Sequence, residues 1–237
     1  MIMNIELNGL NSDDYHLVVE HFPSYPMPKR SFNVYSILGR NGDIYQDNGS
    51  WENYSDEYQL SLVLGGVDYS TAIRSASKFL SQKGYVRLVD SNDPLVYRMV
   101  YIKDGVTITN ILNATGKAKM KIDCKPFRYY FSGETAVTIA SGGTLTNPSD
   151  VEAYPLIKVT GKGAGTLTIG AVVMTFKELD DYLMIDCAEQ NIYRQLSENR
   201  NSYVELGLFP TLLEGINTVS FSGGITGCEI TPRWVTV

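Results

Sequence analysis

The sequence predicts a mainly β protein built of two units, the second a β-sandwich of jelly-roll type. Three observations carry this. Apolar and polar residues alternate with period two along much of the chain, in segments rich in Tyr, Val, Ile and Thr, and Tyr alone occurs 16 times. A single segment, Ser70–Lys83, has helical spacing. Beyond residue 132, short strand-like runs follow one another closely, about eight of them before the chain ends at residue 237.

Asn4–Leu10 alternates Ile5 and Leu7 against Glu6 and Asn8 and reads as the first strand. Gly39-Arg40-Asn41-Gly42 lies between two Tyr-bearing strands and marks a hairpin. A type I′ turn at Asn41-Gly42 would need positive φ at both positions. Tyr58, Leu60, Leu62 and Leu64 then share one face against Gln59, Ser61 and Val63. In Ser70–Lys83 the apolar stripe is Ala72, Ile73, Ala76, Phe79 and Leu80, with Ser70 or Thr71 as cap and Gly84 at the C′ position. That stripe should pack on a sheet. Val86–Val89 and Val96–Ile102 flank the turn Asn92-Asp93-Pro94. In Lys117–Lys125, Ala118, Met120, Ile122 and Cys124 face one way, and Lys117, Lys119, Lys121, Asp123 and Lys125 belong to a solvated face.

A boundary falls near 131–135, giving units 1–132 and 133–237. In the second unit the expected strands are Val137–Ala140, Leu156–Thr160, Thr166–Ile169, Ala171–Phe176, Tyr182–Cys187, Val204–Leu208, Asn217–Ser222 and Cys228–Trp234. Lys162–Gly165, Asp180-Asp181 and Gly223-Gly224 read as the turns between them.

Charge narrows the function. The chain has 20 basic and 26 acidic residues, net −6. Residues 1–132 balance, and residues 133–237 carry the whole excess. This argues against a bulk electrostatic grip on nucleic acid or an anionic membrane. No apolar run approaches the ~18 residues of a membrane span. Met1–Glu6 has no basic n-region, so no signal peptide is expected. Cys124, Cys187 and Cys228 are an odd, scattered set, expected to be buried thiols in a reducing cytoplasm, with neither a disulfide framework nor a zinc site.

Catalytic signatures are weak. His16 and His21 are the only histidines and have no nearby cysteine. With Asp13 and Asp14 they make a poor metal set. No G-x-S-x-G elbow occurs. Gly161–Thr166 lacks the Gly-Lys-Ser/Thr of a phosphate loop. Asp186 sits alone at a strand end. No enzyme activity, metal, cofactor or catalytic residue is therefore expected. The segment Phe22–Arg30, with Pro23, Pro26 and Pro28, reads equally as an extended arm or as a plain loop.

Several short motifs recur in a familiar order. They are Leu38–Gly42, Asp47–Asn53, the helix Ala72–Leu80, Leu88–Pro94 with Tyr97, and Ile122–Tyr129. They continue with Asn147-Pro148, Ala153-Tyr154-Pro155, Ile185-Asp186, Phe209-Pro210 with Leu212, Gly215 and Asn217, and Pro232-Arg233-Trp234. In order and spacing the chain resembles the distal tail proteins (Dit) of bacteriophages with long non-contractile tails (siphophages).

The resemblance implies an N-terminal β-sandwich with one α-helix and a protruding β-hairpin, and a C-terminal galectin-like β-sandwich. It implies a structural virion protein made in the host cytoplasm that forms a homohexamer ring at the tail tip, in the baseplate. One ring face would meet the major tail tube protein and the other the tail fibre or tail-associated lysin, and the outer domains could hold a receptor-binding protein. Carried onto this chain, the ring-closing hairpin would comprise Tyr35, Ile37, Gly39, Arg40, Asn41, Gly42, Ile44 and Tyr45, with flanks Phe32–Leu38 and Asp43–Asp47. Strand addition to a neighbour's sheet edge supplies the physical reason. The alternative function is a carbohydrate-binding module for host cell-wall attachment. Trp234, on the face of Cys228 and Ile230, is expected in the core rather than in a sugar site.

Overall fold

The computed structural model describes residues 3–22, 26–111, 114–195 and 198–237. Pro23, Ser24 and Tyr25, the middle of the proline-rich segment, lie outside the described residues. The chain divides into two compact units, one running to Arg128 and joined by Val237, the other spanning Tyr129–Thr236.

The first unit contains β1 (Ile5–Leu7), β2 (Leu10–Asn11), β3 (Leu17–His21), β4 (Arg30–Tyr35), β5 (Ile44–Trp51), β6 (Tyr54–Val63), α1 (Tyr69–Leu80), β7 (Tyr85–Asp90), β8 (Val96–Ile102), β9 (Ile108–Ile111) and most of β10 (Thr115–Tyr130). Its main sheet runs β2-β1-β7-β8-β10-β6-β3, with β9 also on β10. The ladder of β6 and β10 is the longest, in register from Thr115 opposite Val63 to Cys124 opposite Tyr54. The alternation read from the sequence is realised there. Tyr58, Leu60 and Leu62 are buried against Ala118, Met120, Ile122 and Cys124. The lysines face outward and are paired, Lys117 with Glu20 at 2.9 Å and Lys119 with Glu57 at 3.3 Å. Asp123 departs from the expected wet face. It is buried, accepts from Asn53 Nδ2 at 3.0 Å and pairs with Lys103 at 3.0 Å.

The helix lies where its spacing predicts, and Ala72, Ala76, Phe79 and Leu80 enter the core. Its cap differs from expectation. Asp68, not Ser70 or Thr71, accepts from the Thr71 amide at 3.1 Å and the Thr71 hydroxyl at 2.6 Å, which lowers the Asp68 pKa to about 2. At the other end Ser81 caps through its hydroxyl to Ser77 O, so Gly84 lies beyond the helix. Asn4–Leu10 is also not one strand. Asn8 (φ 48°) and Gly9 (φ 83°) form the positive-φ turn of a small hairpin between β1 and β2.

A charged cluster is buried in this unit. The Arg98 guanidinium meets Asp56 at 2.9 Å and Asp90 at 3.5 Å, and donates to the Tyr58 hydroxyl. All four groups lie on strands or strand ends, and Arg98, Tyr58 and Asp90 are buried. Burial pushes the Tyr58 hydroxyl above its ordinary pKa and keeps it a donor to Asp90. Asp90 completes its bonding by accepting from the amides of Asn92 and Asp93, each at 3.0 Å.

The second unit contains β11 (Val137–Ile139), β12 (Gly143–Asn147), β13 (Leu156–Ile169), β14 (Val172–Asp186), β15 (Asn191–Tyr193), β16 (Val204–Glu205), β17 (Gly215–Thr231) and β18 (Val235–Thr236). Here the sequence reading is corrected. Lys162–Gly165, Asp180-Asp181 and Gly223-Gly224 are not hairpin turns. Each lies inside one long strand, so six expected strands are three, and β12 is additional.

The long strands bend together. β14 gains one residue against β13, since Leu179 sits opposite Gly163 and Phe176 opposite Gly165. Inward parity flips with it, from Met174 and Phe176 to Leu179, Leu183 and Ile185, all buried. β17 slips likewise between Gly227 and Ile225. One half of β17 therefore pairs with β12 and the other with β11, and β14 divides its partners between β16 and β15. Bends of this kind carry strands from one layer of a sandwich into the next. The crossing needs glycine. A Cβ on Gly161 would lie 2.2 Å from Gly224 O, and one on Gly224 would lie 2.1 Å from Lys162 O. Asp181 occupies the bend with φ 81°, and Arg194 pairs with Asp180 at 2.9 Å and Asp181 at 3.5 Å.

Trp234 is in this core, as expected. Beside it, Arg233 grips Asp186 through two bonds of 2.7 and 2.9 Å. Burial alone would raise the Asp186 pKa. The Arg233 fork and the amides of Ala188 and Glu189 outweigh it, and the carboxyl sits below its ordinary value.

Two outcomes are expected. Gly161→Ala should destabilise the second unit by about 3 kcal/mol, because backbone lies where the methyl would go, and Gly207→Ala, with open space around it, should shift stability by less than about 0.5 kcal/mol. Urea unfolding measures both. Arg98→Leu should cost about 3–5 kcal/mol by leaving Asp56 and Asp90 buried without a counter-charge, and adding Asp56→Asn should recover part of the loss in the same assay.

Candidate functional site

The hairpin β4–β5 is a two-stranded sheet of its own, outside the ladder of the main sheet. Asn33–Gln46, Val34–Tyr45 and Tyr35–Ile44 are its rungs. Its base is well anchored. The Arg30 guanidinium stacks over the Trp51 ring at 4.7 Å and pairs with Asp47 at 3.2 Å. Trp51 meets Phe127 of β10 edge to face at 6.4 Å, and the Glu52 amide donates to Lys29 O at 2.8 Å. Between base and tip β5 bulges. Arg30 faces Trp51 and Phe32 faces Asp47, so β5 carries two extra residues there, with Gly49 at φ 73° and its amide on Asp47 Oδ1.

The expected type I′ turn at Asn41-Gly42 is not formed. Asn41 is not among the residues with positive φ, and the strands end at Tyr35 and restart at Ile44. The reversal occurs earlier. The Arg40 amide donates to Ile37 O at 3.1 Å, with Gly39 at φ 81° in the third position, as a type II turn requires. Ser36 Oγ donates to Asp43 Oδ1 at 2.5 Å and closes the loop, and Gly42 (φ 83°) completes it.

All eight residues carried onto the hairpin lie in this strand–loop–strand element, and every one is exposed. The pairing sorts them into two faces. Phe32, Val34 and Tyr45 share one, with Phe32 and Tyr45 edge to face at 5.2 Å. Tyr35 and Ile44 share the other with Asn33 and Gln46. Ile37 and Leu38 form the tip, and Leu38 is fully exposed. The eight residues omit Phe32, Val34 and Leu38, although these carry much of the apolar surface. Alternation within Phe32–Tyr35 was the available signal. Tyr45 is 64% exposed and the other strand aromatics about half, so neither face has a core behind it.

The histidines, the cysteines and the cleft of the second unit offer less. His16 ends a short 3₁₀ turn in the left-handed conformation, and His21 ends β3. Among the described residues no group of three His, Cys, Asp or Glu side chains is placed to hold a metal. The three cysteines are buried and free. Burial pushes Cys124 up to about 11 and Cys187 and Cys228 up to about 12, so they stay protonated at neutral pH. In the second unit Glu178, Asp180, Arg194, Arg200 and Tyr203 line a cleft of about 130 Å³. Its one lining ring, Tyr203, is covered by Arg200 at 4.8 Å. A sugar ring would have to displace Arg200 to stack there.

No protein-family model and no curated protein matches the chain. Among solved structures it is similar to SPP1 Dit (gp 19.1), described as a paradigm of the hub adsorption apparatus in phages infecting Gram-positive bacteria, with a TM-score of 0.72 and 12% sequence identity. The superposition covers 97% of this chain and 98% of that one. From end to end, therefore, this chain has the fold of the Dit hub protein of phage SPP1.

Proposed function

We propose that the protein is a structural subunit of a siphophage tail tip, acting as a distal tail protein. Six copies would close into a ring through the first unit (residues 1–132 in the sequence division), with the β4–β5 hairpin as the joining element. One face of the ring would receive the tail tube, and the other the tail fibre or tail-associated lysin. The second unit (133–237) would stand outside the ring as a galectin-like domain, open to a receptor-binding protein. The fold shared with SPP1 Dit supports the tail-tip role.

The observation that carries the assembly reading is the hairpin. It presents Phe32, Val34, Tyr35, Ile37, Leu38 and Tyr45 to solvent on two faces and a tip. An isolated two-stranded hairpin is marginally stable in water. A contiguous apolar surface of this kind is the mark of a protein interface. The main-chain edges of β4 and β5 suit strand addition to a second copy. The carbohydrate-binding alternative gains little from the cleft of the second unit, whose one ring, Tyr203, is covered by Arg200.

Light scattering behind a sizing column tests the assembly. Six copies of the 26.3 kDa chain make about 158 kDa. That mass, with a central hole in negative-stain images, is the expected outcome, and a monomer at every concentration would count against the ring. Gly39→Val combined with Gly42→Val should strain both positive-φ positions of the tip. The expected result is loss of the oligomer, faster tryptic cleavage after Arg40, and an unchanged thermal midpoint of the folded monomer.

A further inference from the structure

The first unit holds a groove of about 400 Å³ between the C-terminal end of α1 and the β8–β9 connection. Leu80, Ile102, Val106 and Ile108 line it, and Asp104 stands on its rim. We propose that this groove is the seat of the hairpin tip of the neighbouring copy: Ile37 and Leu38 enter it, and Arg40 pairs with Asp104. The inference rests on the ring reading above and deepens it, by naming the surface of the second copy that the hairpin meets.

Shape and chemistry agree. The tip is an apolar knob with one fully exposed leucine. The groove has Leu80, Ile102, Val106 and Ile108 in its lining beside Ser77, Ser81, Gln82, Lys103 and Asp104, and it is left open by its own chain. An apolar cavity of about 150 Å³ already admits a benzene-sized group, so the groove has room for Leu38 and Ile37 together. Charge agrees as well. Arg40 lies two residues beyond Leu38, and Asp104 lies on the rim. Neither enters an ion pair among the described residues, whereas the adjacent Lys103 is held by Asp123 at 3.0 Å. Docking would give two exposed charges of opposite sign a partner at the border of a desolvated contact, where charge fixes register. Knob and hole are different patches of one chain, so the contact is head-to-tail and propagates until rotation closes it.

The test uses the full chain and charge reversal. Arg40→Asp and Asp104→Arg should each weaken the assembly by at least about tenfold in concentration, read by light scattering, and the double reversal should restore it. A second arm mixes Leu38→Cys protein with Gly105→Cys protein under mild oxidation. The native cysteines are buried, so a covalent heterodimer is expected only when tip and groove meet. Reversals without effect, or no heterodimer from a protein that still assembles, would overturn the seat. If replacing residues 37–42 by Asn-Gly dissolves that same assembly, the ring reading survives and only the groove is lost. A chain that remains monomeric throughout, with no heterodimer, sinks both.

Discussion

The β6–β10 ladder is the constraint on which the first unit depends. Ten consecutive rungs fix which side chains of both strands face inward, and a slip of one residue would turn Tyr58, Leu60, Met120 and Ile122 to water. The same ladder brings Asp56 and Tyr58 under Arg98. It also sets the root of the hairpin, since β5 runs into β6 through Glu52 and Asn53, and Asn53 is tied to Asp123 of β10. The strand that builds the core thus also aims the element that leaves it.

The second unit meets a different constraint. Its three long strands bend together within one seven-stranded sheet, and antiparallel strands bend by taking in extra residues. The bulges in β14 and β17 and the glycines at 161, 165, 223 and 224 are one device. The bulges supply the bend, and the glycines let the backbones of β13 and β17 approach where side chains would collide. Short strands at the margins then pair with both halves of β14 and β17. The Arg233–Asp186 fork holds the chain end where Trp234 enters the core.

Set beside these closed cores, the hairpin is conspicuous for what it leaves uncovered. Its base is fixed by stacking and an ion pair, its tip by a turn and a hydroxyl–carboxylate bond, and its apolar faces by nothing in its own unit. Beside α1 the same unit leaves a second open surface, with Leu80, Ile102, Val106 and Ile108 in its lining.

The sequence by itself determined the mainly β class, the helix, the inward residues of β6 and β10, and the place of the hairpin. These are local properties: period, propensity and turn residues act over a few positions. Only the tertiary structure decided the turn at Ile37–Arg40, the helix cap at Asp68, the burial of Arg98 and the continuity of β13, β14 and β17. Glycine pairs look alike whether they reverse a chain or let two strands cross, because the distinction lies in what stands opposite them. A lone Arg98 in a strand gives no sign that Asp56, 42 residues earlier, and Asp90, across the preceding turn, will neutralise it. Exposure was also undecided. Phe32, Val34 and Tyr45 alternate as a buried strand would, and it is the absence of any layer behind them that makes them a surface.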